Sequence, residues 1–156
     1  MLKIAISGSF RKHFSEIIKL IYKSEEAGID VLSPKKSKII NPGAEFIFLE
    51  SDDTEDQMML QLRHLEAISQ SDALYVCNHD GYMGASTILE MGWALALGKP
   101  VYSKEGVDDS TLKFFVKTRS IPPLSTVKQR FHWDANEVVA SLSVFEWWFA
   151  NKLQIY

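Results

Sequence analysis

The chain has 156 residues, 46% of them hydrophobic and 24% charged, with a formal net charge of -3 and a pI near 5.8. That balance fits one globular domain over residues 1–156; it excludes a disordered chain and, with no long basic run, argues against a nucleic-acid polymer as partner. No apolar run approaches the roughly 18 residues of a spanning helix, and the N-terminus enters a strand directly, so a cytoplasmic protein with no membrane partner is expected.

Residues 2–7 read as a short apolar strand running into Ser7-Gly8-Ser9. Phe14, Ile17, Ile18 and Ile21 then recur at helical spacing, in an amphipathic helix that ends near Ala27-Gly28. A strand, a Gly/Ser turn and a helix start together aim backbone N–H groups and hydroxyls at one spot, which suits phosphate; a tight turn without ligand explains Gly8 equally well. Arg11 and Lys12 would add positive charge there. Residues 29–33 form a second strand, and Pro34 opens a Lys-rich connection. Asn41-Pro42-Gly43 separates two brief apolar pieces, as a hairpin insertion or a loop capped by one strand. The acidic residues 50–56 open a helix with Asp52, Asp53 or Thr54 as cap and Met58, Leu62, Leu65 and Ile68 on one side.

Residues 72–102 organise the rest. An apolar run at 73–77, a Gly-containing loop, a helical segment, Gly98-Lys99-Pro100 and a second apolar run spell a βαβ unit of a parallel sheet. Ligands of such sheets gather beyond the carboxyl ends of the strands, where the loop 78–86 falls. Glu90 is the single acidic residue between positions 81 and 104, and Ser86, Thr87 and Glu90 share a helix face. Gly92 is expected to let the helix approach a neighbouring strand. A carboxylate at the rim of this helix can attack an anomeric carbon or stabilise an oxocarbenium-like transition state; the plain alternative is an acid favouring the helix dipole.

The lone Cys77 reads as a buried thiol at a strand end, and the four histidines (His13, His64, His79, His132) are scattered without ligand spacing, so no metal and no cofactor are expected. Residues 108–117 read as a helix with Leu112, Phe115 and Val116 inward, stopped by Ile121-Pro122-Pro123. Asp134 caps a last helix whose Val138, Leu142, Phe145 and Phe149 form a stripe beside Trp147 and Trp148, serving either the core or a subunit contact.

The run from Gly81 through Glu90 and Gly92 to Ala94, closed by Gly98-Lys99-Pro100-Val101, resembles the nucleoside 2-deoxyribosyltransferase family, including its 2′-deoxynucleoside 5′-phosphate N-hydrolase branch. Ser7-Gly8-Ser9 resembles the Gly-Ser turn of that branch, and Asp72 falls on the acid before the third strand. The resemblance implies a Rossmann-like, flavodoxin-like α/β fold with helices on both faces of a parallel sheet, and cleavage of an N-glycosidic bond in a nucleoside or nucleotide by hydrolysis or transfer. It gives Glu90 the role of nucleophile. It places Ser7, Gly8 and Ser9 against the sugar or 5′-phosphate and Ser86, with Gly84 and Thr87, near the phosphate. Asn78, Asp80 and Gly81 would lie over the sugar or base, with Tyr82 stacking on the base. It further implies a homodimer or higher assembly. His64 stands where the family often has an aspartate, and residues 2–7 lack the family's tyrosine, which keeps open a non-catalytic nucleotide-binding module. Residues 81–90 also partly resemble the glycine-rich signature of cytokinin-type nucleoside monophosphate phosphoribohydrolases.

Overall fold

In β1 (Lys3–Gly8) isoleucines alternate with small residues, so Ile4 and Ile6 face one side of the sheet while Ala5 and Ser7 face the other. A computed structural model describes residues 1–119 and sets β1 second in a five-stranded sheet, between β2 at the edge and β3 at the centre, in the order β2-β1-β3-β4-β5. The other strands are β2 (Asp30–Ser33), β3 (Ala73–Cys77), β4 (Val101–Ser103) and β5 (Val116–Thr118), and every pairing is parallel. Three helices, α1 (Phe10–Glu26), α2 (Gln57–Gln70) and α3 (Ala85–Ala96), connect the first four strands. This is the α/β, flavodoxin-like arrangement expected from the sequence.

The chain leaves β1 toward one edge of the sheet and leaves β3 toward the other. Right-handed crossovers therefore put α1 on one face and α2 with α3 on the opposite face. On the α2/α3 face, Ala5, Leu74, Val76 and Val101 pack with Ile68, Met91 and Ala94. On the α1 side Ile4 and Ile6 are buried together with Ile17, Leu20 and Ile21. Gly8 is required by this packing: a Cβ there would lie 3.0 Å from the Cys77 carbonyl oxygen and 3.2 Å from Ile17 Cδ1. Cys77 is fully buried, and burial pushes its thiol above the usual range.

Four expectations change. Asp56, not Asp52, Asp53 or Thr54, caps α2, accepting from Met59 N at 3.1 Å; Asp52 accepts from Leu49 N, and Asp53 pairs with Arg63. Met58 (69% exposed) and Leu62 (53%) lie outside, because α2 turns Ile68 inward along the face that also carries Gln61 and His64. Residues 108–117 are not a helix: Asp109 Oδ1 accepts from Thr111 N and Leu112 N to close a short 3-10 turn, and β-branched Val116 and Thr118 then pair with β4. Gly92 meets nothing within 4 Å of an added Cβ, so it serves no close approach. Gly92→Ala is accordingly expected to stabilise the protein by about 0.5–1 kcal/mol in urea denaturation.

Between positions 39 and 49 there is a single antiparallel bridge, Ile39 to Leu49. The loop inside it is tied by Asn41, whose amide donates to Phe46 O (2.8 Å) and accepts from Phe48 N (2.7 Å). Among the described residues, no helix is long and apolar enough to cross a membrane. The expected C-terminal helix, the Pro122-Pro123 stop and His132 lie outside the described residues, as does part of the span expected to form one domain.

Glu16 on α1 joins the loop after β4 through Lys104 (2.8 Å) and its own helix through Lys19 (2.7 Å), and these bonds pull its carboxyl down from 4.5 to about 2. A carboxyl lowered by folding contributes stability that is full above its unfolded pKa and is lost as pH falls toward the folded one. Lys104→Met is therefore expected to flatten the decline of melting temperature between about pH 4.5 and pH 2.

Candidate active site

The sheet order reverses direction between β1 and β3, and the crevice at such a point, beyond the carboxyl ends of the strands, is where ligands of open parallel sheets bind. A cavity of about 900 Å³ occupies it, walled by residues 6–11 at the end of β1 and just beyond, 32–35 at the end of β2 and just beyond, the inner face of α2 and the start of α3. Small-molecule sites commonly measure roughly 300–1,000 Å³.

Glu90 lies on the second turn of α3 and points inward, only 6% exposed. Its Oε1 accepts from Gln61 Nε2 at 2.8 Å, and His64 Nε2 faces its Oε2 at 3.5 Å. Burial pushes the carboxyl up, but hydrogen bonds from His64, Gln61 and Ser7, with the attraction of the imidazole, outweigh it and hold it below the ordinary carboxylate range. The side chain is thus ionised at neutral pH. Strand alternation explains why Ser7 reaches this point: it shares with Ala5 the sheet face that α2 and α3 cover. Ser7 Oγ lies 3.4 Å from His64 Nε2, and Ser33 Oγ, at the end of β2, lies 2.7 Å from His64 Nδ1.

Of the residues singled out in the sequence, Ser7, Gly8, Ser9, Gly84, Ser86, Thr87 and Glu90 line the cavity together. Ser9 spends its hydroxyl as the cap of α1, accepting from Lys12 N at 3.3 Å. Asn78, Asp80, Gly81 and Tyr82 are not among the lining residues. Asn78 is fully buried and its amide is used up by the loop after β4: it donates to Glu105 O and Gly106 O and accepts from Glu105 N. Asp80 and Gly81 take positive φ values of 55° and 70° in the turn that follows. Tyr82 sits under Lys12, whose Nζ is 3.5 Å from the ring centroid, and beside the His13 ring. Asp72 accepts from Lys3 N at 2.8 Å and so ties the start of β3 to β1.

Gln61, Ser33, Phe46 and Ile47 enter the cavity without having been singled out. Gln57, Gln61, His64 and Ile68 stand at i, i+4, i+7 and i+11 on α2; polar residues on a stripe that ends in a buried isoleucine were the available signal. Charge on the walls is mixed: Arg11, Lys35 and Arg63 against Glu45, Asp52, Asp53 and Glu90, with Arg63 already paired to Asp53. Among the described residues, no group of three or more His, Cys, Asp or Glu side chains is placed to hold a metal ion.

No protein-family model and no curated protein sequence matches the chain. Among solved structures, the CMP N-glycosidase BcmB of Clostridium botulinum overlaps 75% of this chain and 85% of its own at 16% identity and a TM-score of 0.47, too loose a likeness to transfer chemistry. A conserved protein from Enterococcus faecalis is similar over 70% of both chains at 23% identity and a TM-score of 0.50, and that likeness establishes a shared architecture.

Proposed function

We propose that this protein cleaves the N-glycosidic bond of a nucleoside or nucleoside 5′-monophosphate with Glu90 as nucleophile. One observation carries the reading: a buried carboxylate, bonded by Gln61 and faced by His64, opens on a cavity of about 900 Å³ at the carboxyl edge of a parallel sheet. Burying a charge is costly, and here three polar side chains offset that cost at a place where a ligand would sit.

A Glu90 oxygen attacks C1′, and the C1′–N bond breaks as its electron pair departs with the base, which takes up a proton. The product is a glycosyl ester of Glu90. Water, or a nitrogen of a second base, then attacks C1′; the ester bond breaks, the carboxylate is restored and the attacking group loses its proton. Ser86 and Thr87, the free N–H groups at the start of α3 and Arg11 on the cavity wall suit a 5′-phosphate. Phe46 and Ile47 offer the base an apolar wall.

Chromatography of a mixed nucleoside and nucleotide panel incubated with wild type and with Glu90→Gln tests the proposal. Free base is expected with wild type and not with the variant. A panel member that raises the melting temperature of wild type while no base appears would replace the enzyme by a nucleotide-binding module.

A further inference from the structure

We propose that His64 positions the Glu90 carboxylate for attack, an inference that rests on the reading of Glu90 as nucleophile. From α2 the imidazole reaches three other elements. Nδ1 lies 2.7 Å from Ser33 Oγ at the end of β2, while Nε2 lies 3.4 Å from Ser7 Oγ on β1 and 3.5 Å from Glu90 Oε2 on α3. The ring is largely buried, and its far end is bonded to Ser33. A carboxylate in front of Nε2 calls for a proton there, and Nδ1 is tied to the Ser33 hydroxyl.

Glu90 in this way meets α2 at both oxygens: the Gln61 amide is bonded to Oε1 at 2.8 Å, and the His64 ring faces Oε2 at 3.5 Å. The terminal torsion of a glutamate is broad and roughly two-fold when nothing restrains it. Two donors one helical turn apart on α2 fix the carboxylate plane and so decide which lone pair an approaching C1′ meets. Misplacement of a reacting group by about 1 Å costs on the order of 10²-fold in rate.

The two ends of the ring can be tested separately. Gln at position 64 carries its amide nitrogen close to where Nε2 lies, whereas Asn matches only Nδ1. His64→Leu is expected to lower kcat by about 10²-fold with little change in KM, and His64→Gln to recover kcat to within about tenfold of wild type. His64→Asn, which keeps only the Ser33 contact, is expected to recover nothing. Melting temperatures are measured alongside, because a purely structural role would make the Gln and Asn variants alike and tie kcat to stability. An unchanged kcat in His64→Leu, or Gln and Asn variants that cannot be told apart, would overturn the role of His64. Should His64→Leu fail to fold, the Gln and Asn comparison decides. Wild type that frees no base, or Glu90→Gln that frees it as fast, removes the nucleophile reading and this inference with it. Release lost in Glu90→Gln but undiminished in His64→Leu removes the inference about His64 alone.

Discussion

Glu90→Gln is expected to lower base release by on the order of 10⁴-fold or more while leaving the protein folded. The amide has the shape of the carboxylate, and its oxygen still accepts from Gln61 at the Oε1 position. It also gives up the charge-assisted bonds that hold the carboxyl below its ordinary range, and these outweigh the desolvation of a site that is 6% exposed, so the variant should melt somewhat lower than wild type while staying folded. What is lost is the negative oxygen that attacks C1′. A variant that is folded at the assay temperature yet inactive separates chemistry from folding, and paired rate and melting measurements check both. The same logic sets the pH dependence: because the Glu90 carboxyl is held below its ordinary range, wild type should keep its nucleophile ionised through neutral pH and lose activity only as pH falls through that lowered pKa.

Ile68→Ala is expected to cost about 2–5 kcal/mol in urea denaturation, the largest single stability effect anticipated for α2. Ile68 is fully buried and is the only fully buried residue of that helix; it packs among Ala5, Leu74, Met91 and Ala94. It therefore anchors the helix that carries Gln61 and His64. Loosening it should also raise the fraction of molecules in which the carboxylate is unrestrained, so kcat should fall further than the loss of folded protein accounts for. Activity normalised to the folded fraction measures that excess.

The parallel architecture was legible because strands buried on both faces leave near-continuous apolar runs, as at residues 73–77, and because Gly98-Lys99-Pro100 punctuates the return to β4. The inner side of α1 was legible in part: Ile17 and Ile21 are buried, while Phe14 and Ile18 are only half-covered. On α2 the apolar spacing misled. Met58 and Leu62 repeat at helical intervals but face outward, and the inward stripe contains Gln61 and His64 because the cavity, rather than the core, lies beneath that part of the helix. Periodicity reports that a helix has faces; it does not say which one a cavity occupies. Glu90, Ser7 and Ser86 line one cavity because a strand end and a helix start meet at the same edge of any such sheet, an arrangement the order of elements already spelled. Asn78 and Tyr82 belong to the same sequence neighbourhood, yet hydrogen bonds to the loop after β4 and the Lys12 ammonium claim their side chains. Ser33 could not be read at all, since its partner on α2 lies 31 positions away and the link between them is a single hydroxyl.

Trapping the glycosyl ester is the most direct measurement of the claim that Glu90 attacks the sugar. A 2′-fluoro-arabinonucleoside 5′-monophosphate, whose fluorine slows departure of the sugar from the protein, is incubated with wild type, and the digested chain is mapped by mass spectrometry. One added fluoropentose phosphate is expected on the peptide that contains Glu90, and none on Glu90→Gln. Base release without a sugar adduct at position 90, or an adduct on another carboxylate of the cavity, would contradict attack by Glu90.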